Sequence, residues 1–487
     1  MRIRISLKKE KTFQNYLVLT LLMSLLIAIV CLILLSSINI SYDVRLRWFG
    51  WIGNLLLIWG LYVFKKLINT HINQYSMFYL CYFIFSYGQL MLFSVGIEYE
   101  KFLVLRLFPP DDIIKYCLFF CISTCFFLFG ALLAIKKIVK NTKHFGELAN
   151  PGKTLLLAVK IVAWILFLIS APVYFSDLIG NVTKSIIQGY NAIYDVGDYS
   201  SASNIITSLS MWYVPSLYLL LWSYKQSKIA RRAITSLLVI SIGGVLIIGA
   251  RSTAVAMLLS YIFLWNATIN KLNKRKMFIT LVGLFLFFTI LPIIQEYRGT
   301  SGKSIESFWN VLTLMYNGNK IVEIIGELGS SMQVWLRVLE LVPSAYPLKL
   351  GESYLASILA CIPSLFMGGH SFTQDAQLAG WLQSAANMSY GPGFSMHGEA
   401  YYNFGWWGIP FMLIVGLVFF KFLSNDFIKG KLLILRDTFS AIALFAFITT
   451  ARGSMYLSIR KELYMILLPV FVIIILNNTL RKQKVVK

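Results

Sequence analysis

Charged residues are scarce in this chain of 487 residues: 13% are Asp, Glu, Lys or Arg, whereas 58% are hydrophobic. Soluble domains carry about 25% charged residues, so the composition excludes an ordinary water-soluble protein and indicates a polytopic membrane protein. Nucleotide motifs are missing as well, because the sequence contains no GxGxxG, no P-loop and no Asp-x-Asp pair. We therefore expect the protein to work without a cofactor and without a metal.

Cysteine is also rare, with six residues in the whole chain. Cys117, Cys121 and Cys125 follow one another at a spacing of four inside an apolar run, which places them on one stripe of a helix. No CxxC pair or Cys/His spacing of a metal site accompanies them. The cysteines therefore predict neither a disulfide framework nor a metal centre.

Long apolar runs recur along the chain, and they predict an all-α fold. We predict one polytopic membrane domain over residues 1–487 with about twelve transmembrane helices. No soluble domain, linker or internal repeat interrupts it. The predicted spans are 16–36, 48–64, 75–95, 113–135, 154–174, 205–224, 234–250, 253–269, 278–295, 407–423, 439–450 and 463–478.

The distribution of charge gives these spans an orientation. If both termini lie in the cytoplasm, the inner segments hold 28 of the 44 Lys and Arg residues but only 4 of the 21 acids, a net charge of +24. The rest of the chain then has a net charge of −1. This is the positive-inside pattern of a multi-pass membrane protein, so the basicity is a topology signal and does not indicate binding to nucleic acid.

The longest predicted outer segment, residues 296–401, exceeds ordinary connections between helices and is the type of loop that forms binding elements. Within it, segments 304–316 and 319–341 have apolar residues at helical spacing, which predicts amphipathic helices at the outer surface. Segment 353–366 is apolar and broken by Pro363, which predicts a short re-entrant or interfacial helix. Lys140, Lys228 and Lys274 are predicted to face the cytoplasm, and Asp195, Lys320 and Gln377 the outside.

Four arginines stand at predicted outer ends of spans, where the positive-inside rule disfavours them: Arg251, Arg298, Arg452 and Arg460. The first three are followed by Gly or Ser, which allows a large ligand to approach the backbone. The planar guanidinium matches phosphate oxygens, so the arginines are candidates for binding a lipid-linked phosphate, which the family resemblance below makes a diphosphate. Ion pairs with acids such as Glu296 or Glu462 are the alternative interpretation.

The stretch 391–408, GPGFSMHGEAYYNFGWWG, combines titratable, aromatic and amide side chains just before an apolar span. Such a cluster is costly beside a membrane and is usually functional. Glu399 is its one carboxylate and is the candidate general base toward a sugar hydroxyl. His397 is either a second candidate for that role or a hydrogen-bonded structural histidine. Tyr401, Tyr402 and Asn403 are candidate sugar-binding residues.

The segments LGESY (350–354) and MHGEAYYNFG (396–405) resemble the Wzy-type polymerases of oligosaccharide repeat units, which build O-antigen or capsule. The many spans and the long loop before the late spans fit that family too. The resemblance implies a metal-independent membrane glycosyltransferase with Glu399 at the acidic position of the motif. Its substrates would be glycans on undecaprenyl diphosphate, and its partners a flippase and a chain-length regulator.

Two other functions fit a chain with many spans. A flippase or other transporter of lipid-linked oligosaccharides would also bind an anionic head group, but it typically has charges at mid-membrane and twofold repeats, and the sequence shows neither. An O-antigen ligase performs the same chemistry on a different acceptor. The sequence favours the polymerase and leaves both alternatives open.

Overall fold

The structure is a computed structural model. It describes residues 2–36, 40–70, 72–97, 103–141, 152–187, 208–271, 273, 275, 278–279, 283, 320–362, 372–388 and 390–485. Over these residues the chain is all-helical, with 85% of them in helices and no strand. The predicted all-α class is therefore confirmed. Outside the described residues lie Arg298, Asp195, Lys274, the segment 304–316 and most of the predicted span 278–295.

The described α-helices are, in chain order, α1 (Arg2–Ser36), α2 (Tyr42–Ile68), α3 (Gln74–Ser94), α4 (Leu103–Leu107), α5 (Pro110–Asn141), α6 (Lys153–Ile187), α7 (Tyr213–Ser223), α8 (Lys228–Ile248), α9 (Arg251–Thr268), α10 (Lys320–Leu328), α11 (Gln333–Leu341), α12 (Glu352–Leu359), α13 (Thr373–Ala376), α14 (Leu378–Ala385), α15 (Met396–Phe404), α16 (Gly408–Ser424), α17 (Arg436–Thr450), α18 (Met455–Glu462) and α19 (Leu468–Val485). Short 3₁₀ turns occur at Gly329–Met332, Gly405–Trp407 and Gly430–Leu435, and a π-helical turn occupies Leu463–Leu467.

Nine helical segments in the described ranges are long and apolar enough to cross a membrane, and each overlaps one of the twelve predicted spans. They are Glu10–Ser36, Tyr42–Ile68, Gln74–Ser94, Pro110–Lys136, Lys153–Ser185, Lys228–Ile248, Met396–Ser424, Gly430–Thr450 and Met455–Gln483. Two of the other three predicted spans fall on α7 and α9, and the third, 278–295, lies mostly outside the described residues. The count of twelve therefore stays a prediction.

The predicted segment 319–341 is helical from Lys320 onward, since α10, a 3₁₀ turn and α11 follow one another from Lys320 to Leu341. Segment 353–366 begins in helix α12, and its residues after 362 lie outside the described ranges. That these helices belong to one long outer loop remains a prediction.

The chain divides into two compact units. The first contains Met1–His144, Val322–Asp426 and Thr450–Ile459, and the second contains Phe145–Ile321, Phe427–Thr449 and Arg460–Lys487.

In the first unit, α5 and α16 pack backbone to backbone. A Cβ added at Gly130 would lie 2.0 Å from the carbonyl oxygen of Leu413, and one added at Gly416 would lie 2.1 Å from that of Phe127. Small residues at such crossings allow membrane helices to approach closely. An aromatic core lies beside this crossing, where Tyr82 stacks on Phe127 with ring centroids 4.8 Å apart.

In the second unit, α7 is buried along its whole length. Its residue Tyr213 stacks on Tyr174 of α6 with ring centroids 4.1 Å apart, and its hydroxyl lies 3.0 Å from the hydroxyl of Ser241 on α8. Tyr218, one turn further along α7, pairs with Ser260 of α9 at 2.6 Å. Hydroxyl pairs between helices satisfy polar groups that would be costly if left unpaired in an apolar interior.

Candidate active site

The carboxylate of Glu399 is the centre of the site in the first unit. Ser395 caps the start of α15 by accepting a hydrogen bond from the backbone N–H of Gly398 at 3.0 Å, and Glu399 follows within the first turn of that helix. The side chain is 1% exposed. One carboxylate oxygen accepts from the Ser353 hydroxyl at 3.0 Å, and the other accepts from the backbone N–H of Met455 at 2.6 Å. Within the described ranges, no lysine or arginine forms an ion pair with Glu399.

The second of these bonds places Glu399 at the start of another helix. Met455 is the first residue of α18, so its N–H has no partner inside that helix and points along the positive end of the helix dipole. A carboxylate at a helix N-terminus is stabilised by this arrangement. The hydrogen bond from the Met455 N–H therefore favours the ionised form of Glu399, a role that a neighbouring cation often has.

The turn that precedes α18 carries Arg452, and it is attached to the segment before α15 as well. The backbone N–H of Phe394 donates to the carbonyl oxygen of Arg452 at 3.2 Å. Gly393 allows this approach, because it has φ +70° and a Cβ at this position would lie 2.9 Å from the same oxygen. Arg452 itself is half-buried, with its guanidinium 5.9 Å from the ring centroid of Phe85. Of the predicted arginines, Arg452 is thus held by the segment that carries Glu399.

Asn403 connects α15 to the start of α12. Its side-chain oxygen accepts from the backbone N–H of Gly351 at 3.0 Å, and its amide donates to the Ser353 hydroxyl and to the carbonyl oxygen of Glu399, both at 2.8 Å. Gly351, the N-cap of α12, has no side chain with which to cap the helix. Asn403 therefore replaces the missing cap from another helix and fixes the Ser353 hydroxyl against Glu399.

Tyr354 lies next to Ser353 on α12 and stacks on Phe404 with ring centroids 6.2 Å apart. Its hydroxyl is buried without a hydrogen-bond partner in the described ranges. Burial raises the pKa of Tyr354 well above its usual value, and the negative charge of Glu399 raises it further. The phenol therefore stays neutral beside the carboxylate.

His397 points away from this network into the aromatic core. Its Nε2 lies 2.7 Å from the hydroxyl of Tyr82, which in turn lies 3.1 Å from the hydroxyl of Thr124. The ring packs against Phe120 with centroids 4.9 Å apart, and the residue is 1% exposed. Two residues along a helix point in different directions, which explains why His397 and Glu399 have separate surroundings although they are close in sequence.

Tyr401 and Tyr402 are each 4% exposed and lie on different sides of α15. Tyr401 packs edge-on against Trp335 with ring centroids 5.0 Å apart, and Tyr402 packs against Trp381 at 4.5 Å. Each tyrosine is thus paired with a tryptophan from the segments that precede α15.

Of the remaining predicted arginines, Arg251 and Arg460 belong to the second unit. Arg251 is the first residue of α9, and it follows Gly249, which ends α8 with φ 88°. Arg460 is 8% exposed and donates to the Ser208 hydroxyl at 2.6 Å. Neither carboxylate oxygen of Glu462 has a hydrogen-bond partner in the described ranges, so the alternative ion pair of Arg460 with Glu462 does not form.

In a comparison with protein families, the model of the O-antigen polysaccharide polymerase Wzy family matches residues 16–484. The chain belongs to this family. The match covers nearly the whole chain and confirms the resemblance seen in the sequence. Comparison with curated proteins and with solved structures gave no match. As a member of the Wzy family with several apolar helices, the chain is a multi-pass membrane protein and a glycosyltransferase-type polymerase of O-antigen repeat units.

In this Wzy-family polymerase, sequence analysis missed the residues that contact the candidate catalytic side chains, among them Ser353, Met455 and Tyr82. Ser353 belongs to the LGESY segment, but nothing in the spacing indicated that its hydroxyl would reach a carboxylate 46 positions away. Tyr82 lies inside an apolar run, and its pairing with His397 connects residues 315 positions apart. Both contacts depend on how distant segments pack, which one sequence does not reveal.

Proposed function

We propose that this polymerase transfers a growing glycan from undecaprenyl diphosphate to a single repeat unit carried by the same lipid. The family match over residues 16–484 supports the polymerase activity. The donor and acceptor are those that the resemblance to Wzy-type polymerases implies. The candidate residues suit them, because they include a carboxylate able to take a proton and arginines suited to a diphosphate.

In the proposed step, a hydroxyl of the acceptor sugar attacks the anomeric carbon of the donor, and Glu399 takes the hydroxyl proton. The new glycosidic C–O bond forms as the bond between the anomeric carbon and the diphosphate oxygen breaks. The diphosphate leaves with the electron pair, and the arginines stabilise its developing charge. Cleavage of this bond drives the transfer, so no metal and no nucleotide takes part.

The observation that carries this assignment is the carboxylate of Glu399, which is buried and held by two hydrogen-bond donors without an ion pair in the described ranges. A carboxylate has about four lone-pair sites, so two remain for a sugar hydroxyl. Because Glu399 is 1% exposed, the residues that cover it must rearrange before a sugar can reach the carboxylate.

His397 is the second candidate base. Its ring is enclosed by Tyr82, Phe119 and Phe120, so a sugar would have to open the aromatic core to reach it. We therefore assign the proton transfer to Glu399 first and the packing of α15 to His397.

Arg452 is the first candidate for binding the diphosphate, because its backbone is bound to the segment leading to Glu399. Arg251, Arg298 and Arg460 are the further candidates. Tyr401 and Tyr402 are proposed to stack on sugar rings, and Asn403 is proposed to act by positioning Ser353 and Glu399, because its amide is already used within the protein. The reaction would take place at the outer face of the inner membrane, with both termini in the cytoplasm.

Surface glycans of cells with and without this protein test the proposal. Loss of the ladder of chain lengths, with single repeat units still at the surface, is the expected result. Loss of all surface repeat units would instead assign the protein as a flippase or a ligase, and an unchanged ladder would exclude all three functions.

A further inference from the structure

A basic cavity with a volume of about 520 Å³ lies in the second unit, between the first turns of α8 and the last turns of α9. No carboxylate occurs among its lining residues, which are Lys228, Arg231, Arg232, Thr235, Ser236, Tyr261 and Trp265. Three of the seven side chains are cations. Such a lining is suited to an anion, and none of the residues proposed for the polymerisation step belongs to it.

The three cations are placed where a helix does not favour positive charge. Lys228 is the first residue of α8, and no acidic residue occurs in its first turn. The N-terminus of a helix already carries a partial positive charge, so cations there raise the local potential further. An anion in the cavity would neutralise both contributions.

Arg231 is held in place for such a ligand. Its guanidinium lies 5.7 Å from the ring centroid of Trp265, and its Nε is buried without a hydrogen-bond partner in the described ranges. Across the cavity lining, the hydroxyls of Thr235 and Tyr261 pair at 2.6 Å. The ring of Trp265 restricts the side chain of Arg231, and the hydrogen bond between Thr235 and Tyr261 restricts those two side chains. The Nε of Arg231 has no acceptor, and an oxygen of a bound ligand would supply one.

The outer surface of α8 indicates the source of the anion. Arg232, Ser236 and Ile240 recur every four residues and therefore lie on one stripe of the helix. Ile240 is 59% exposed and its neighbour Val239 is 60% exposed, in a helix long and apolar enough to span a membrane. The charged cavity thus continues into an exposed apolar stripe, as a lipid with a charged head and an acyl chain requires.

We propose that this cavity binds the phosphate headgroup of an acidic phospholipid, whose acyl chain lies along the Ser236–Ile240 stripe of α8. Basic residues at the ends of membrane helices also arise from the positive-inside rule, and this is the competing explanation. That rule requires only charge near the membrane surface. It does not require a half-buried arginine whose Nε is buried and unsatisfied beside aromatic and hydroxyl side chains.

Native mass spectrometry of the purified full-length protein in detergent tests this, with phosphatidylglycerol and phosphatidylcholine of equal chain length as probes. We expect phosphatidylglycerol to bind about tenfold or more tightly than phosphatidylcholine, and Arg231→Gln combined with Arg232→Gln to abolish the difference. Lys65→Gln combined with Lys66→Gln is the matched control, because it removes two exposed cations from the end of another span. The control should keep the preference.

Ser236→Trp fills the cavity without changing the charge, so it serves as a second variant if the double arginine variant does not fold, and it should weaken binding of phosphatidylglycerol. A preference that survives in the double arginine variant or in Ser236→Trp, or that is lost equally in the lysine control, would overturn the proposal. Millimolar inorganic phosphate should leave lipid binding unchanged. Displacement of the lipid by phosphate would overturn the lipid assignment and identify a site for free phosphate.

Discussion

At the scale of single residues, Glu399 has two separable roles: it anchors the start of α18 through Met455, and it is the proposed base. Glu399→Gln keeps the shape and one acceptor oxygen but removes the basic carboxylate. A general base contributes about 10²–10⁴-fold, so we expect polymer formation to fall by that factor while the protein stays in the membrane. The distribution of glycan chain lengths on a gel, normalised to protein in the membrane, measures this.

Ser353→Ala is the matched control, because it removes the hydrogen bond to the same carboxylate without changing its charge. We expect it to reduce polymer less than Glu399→Gln does. If both variants lose polymer equally, the contact of Glu399 with Ser353 explains the loss and the assignment of Glu399 as the base is wrong.

Arg452 gives the second residue-scale prediction. Loss of a charge-assisted hydrogen bond to phosphate costs about 1.5–3 kcal/mol, so Arg452→Ala should reduce the rate of polymerisation about ten- to a hundredfold. Arg452→Lys should restore little, because lysine lacks the planar fork. Initial rates with lipid-linked repeat units measure both. Arg337→Ala is the control, since Arg337 is half-exposed and already paired with Glu340 at 2.8 Å. A normal rate in Arg452→Ala would move the diphosphate site away from this turn.

At the scale of helices, the sequence predicted most spans but placed several boundaries differently from the structure, among them the start of the span that follows Glu399. The span predicted from residue 407 lies in a longer helical segment that begins at Met396, because a 3₁₀ turn at Gly405–Trp407 joins α15 to α16. Sequence analysis missed the first part of this helix because the residues around Glu399 are polar. Hydropathy detects apolar runs and does not detect a helical turn that is polar and buried. Glu399 therefore lies on a helix whose first turn is fixed by Ser395.

The crossing of α5 with α16 gives the prediction at this scale. Gly416→Leu would place its side chain against the backbone of Phe127, so it should separate the helices and lower the melting temperature of the purified protein by several degrees. Gly243→Leu on α8 is the control, because a Cβ there meets nothing within 4 Å. Equal melting temperatures for the two variants would show that this close approach does not stabilise the first unit.

At the scale of the whole molecule, charge predicts the topology. Lys228→Cys should react with an impermeant maleimide only after the cells are opened, whereas Gln374→Cys should react in intact cells. Both positions are exposed, and Cys361→Ser removes the one described native cysteine that is not buried. The variant Cys361→Ser without an added cysteine measures the background. Labelling of Lys228→Cys in intact cells, with Gln374→Cys labelled only after the cells are opened, would show that the orientation is the reverse of the predicted one. The proposed outer site depends on the predicted orientation.

Sequence and structure contributed different parts of the site. Composition and apolar periodicity were enough to predict an all-helical membrane protein, and the isolated carboxylate in a polar stretch singled out Glu399. The partners of the site could not be predicted, because Ser353, Met455 and Tyr82 reach it through packing between segments far apart in sequence. His397 shows the same limit: only the fold reveals that its ring faces Tyr82 and not the carboxylate two residues away.

The most direct test of the central claim is elongation by the purified protein. Lipid-linked repeat units extracted from cells that lack this protein would be incubated with it in detergent, with a chelator and without nucleotide sugars. The account predicts a ladder of longer lipid-linked glycans with the wild type and almost none with Glu399→Gln. Repeat units that remain single with the folded wild-type protein, or a ladder that forms equally well with Glu399→Gln, would contradict it.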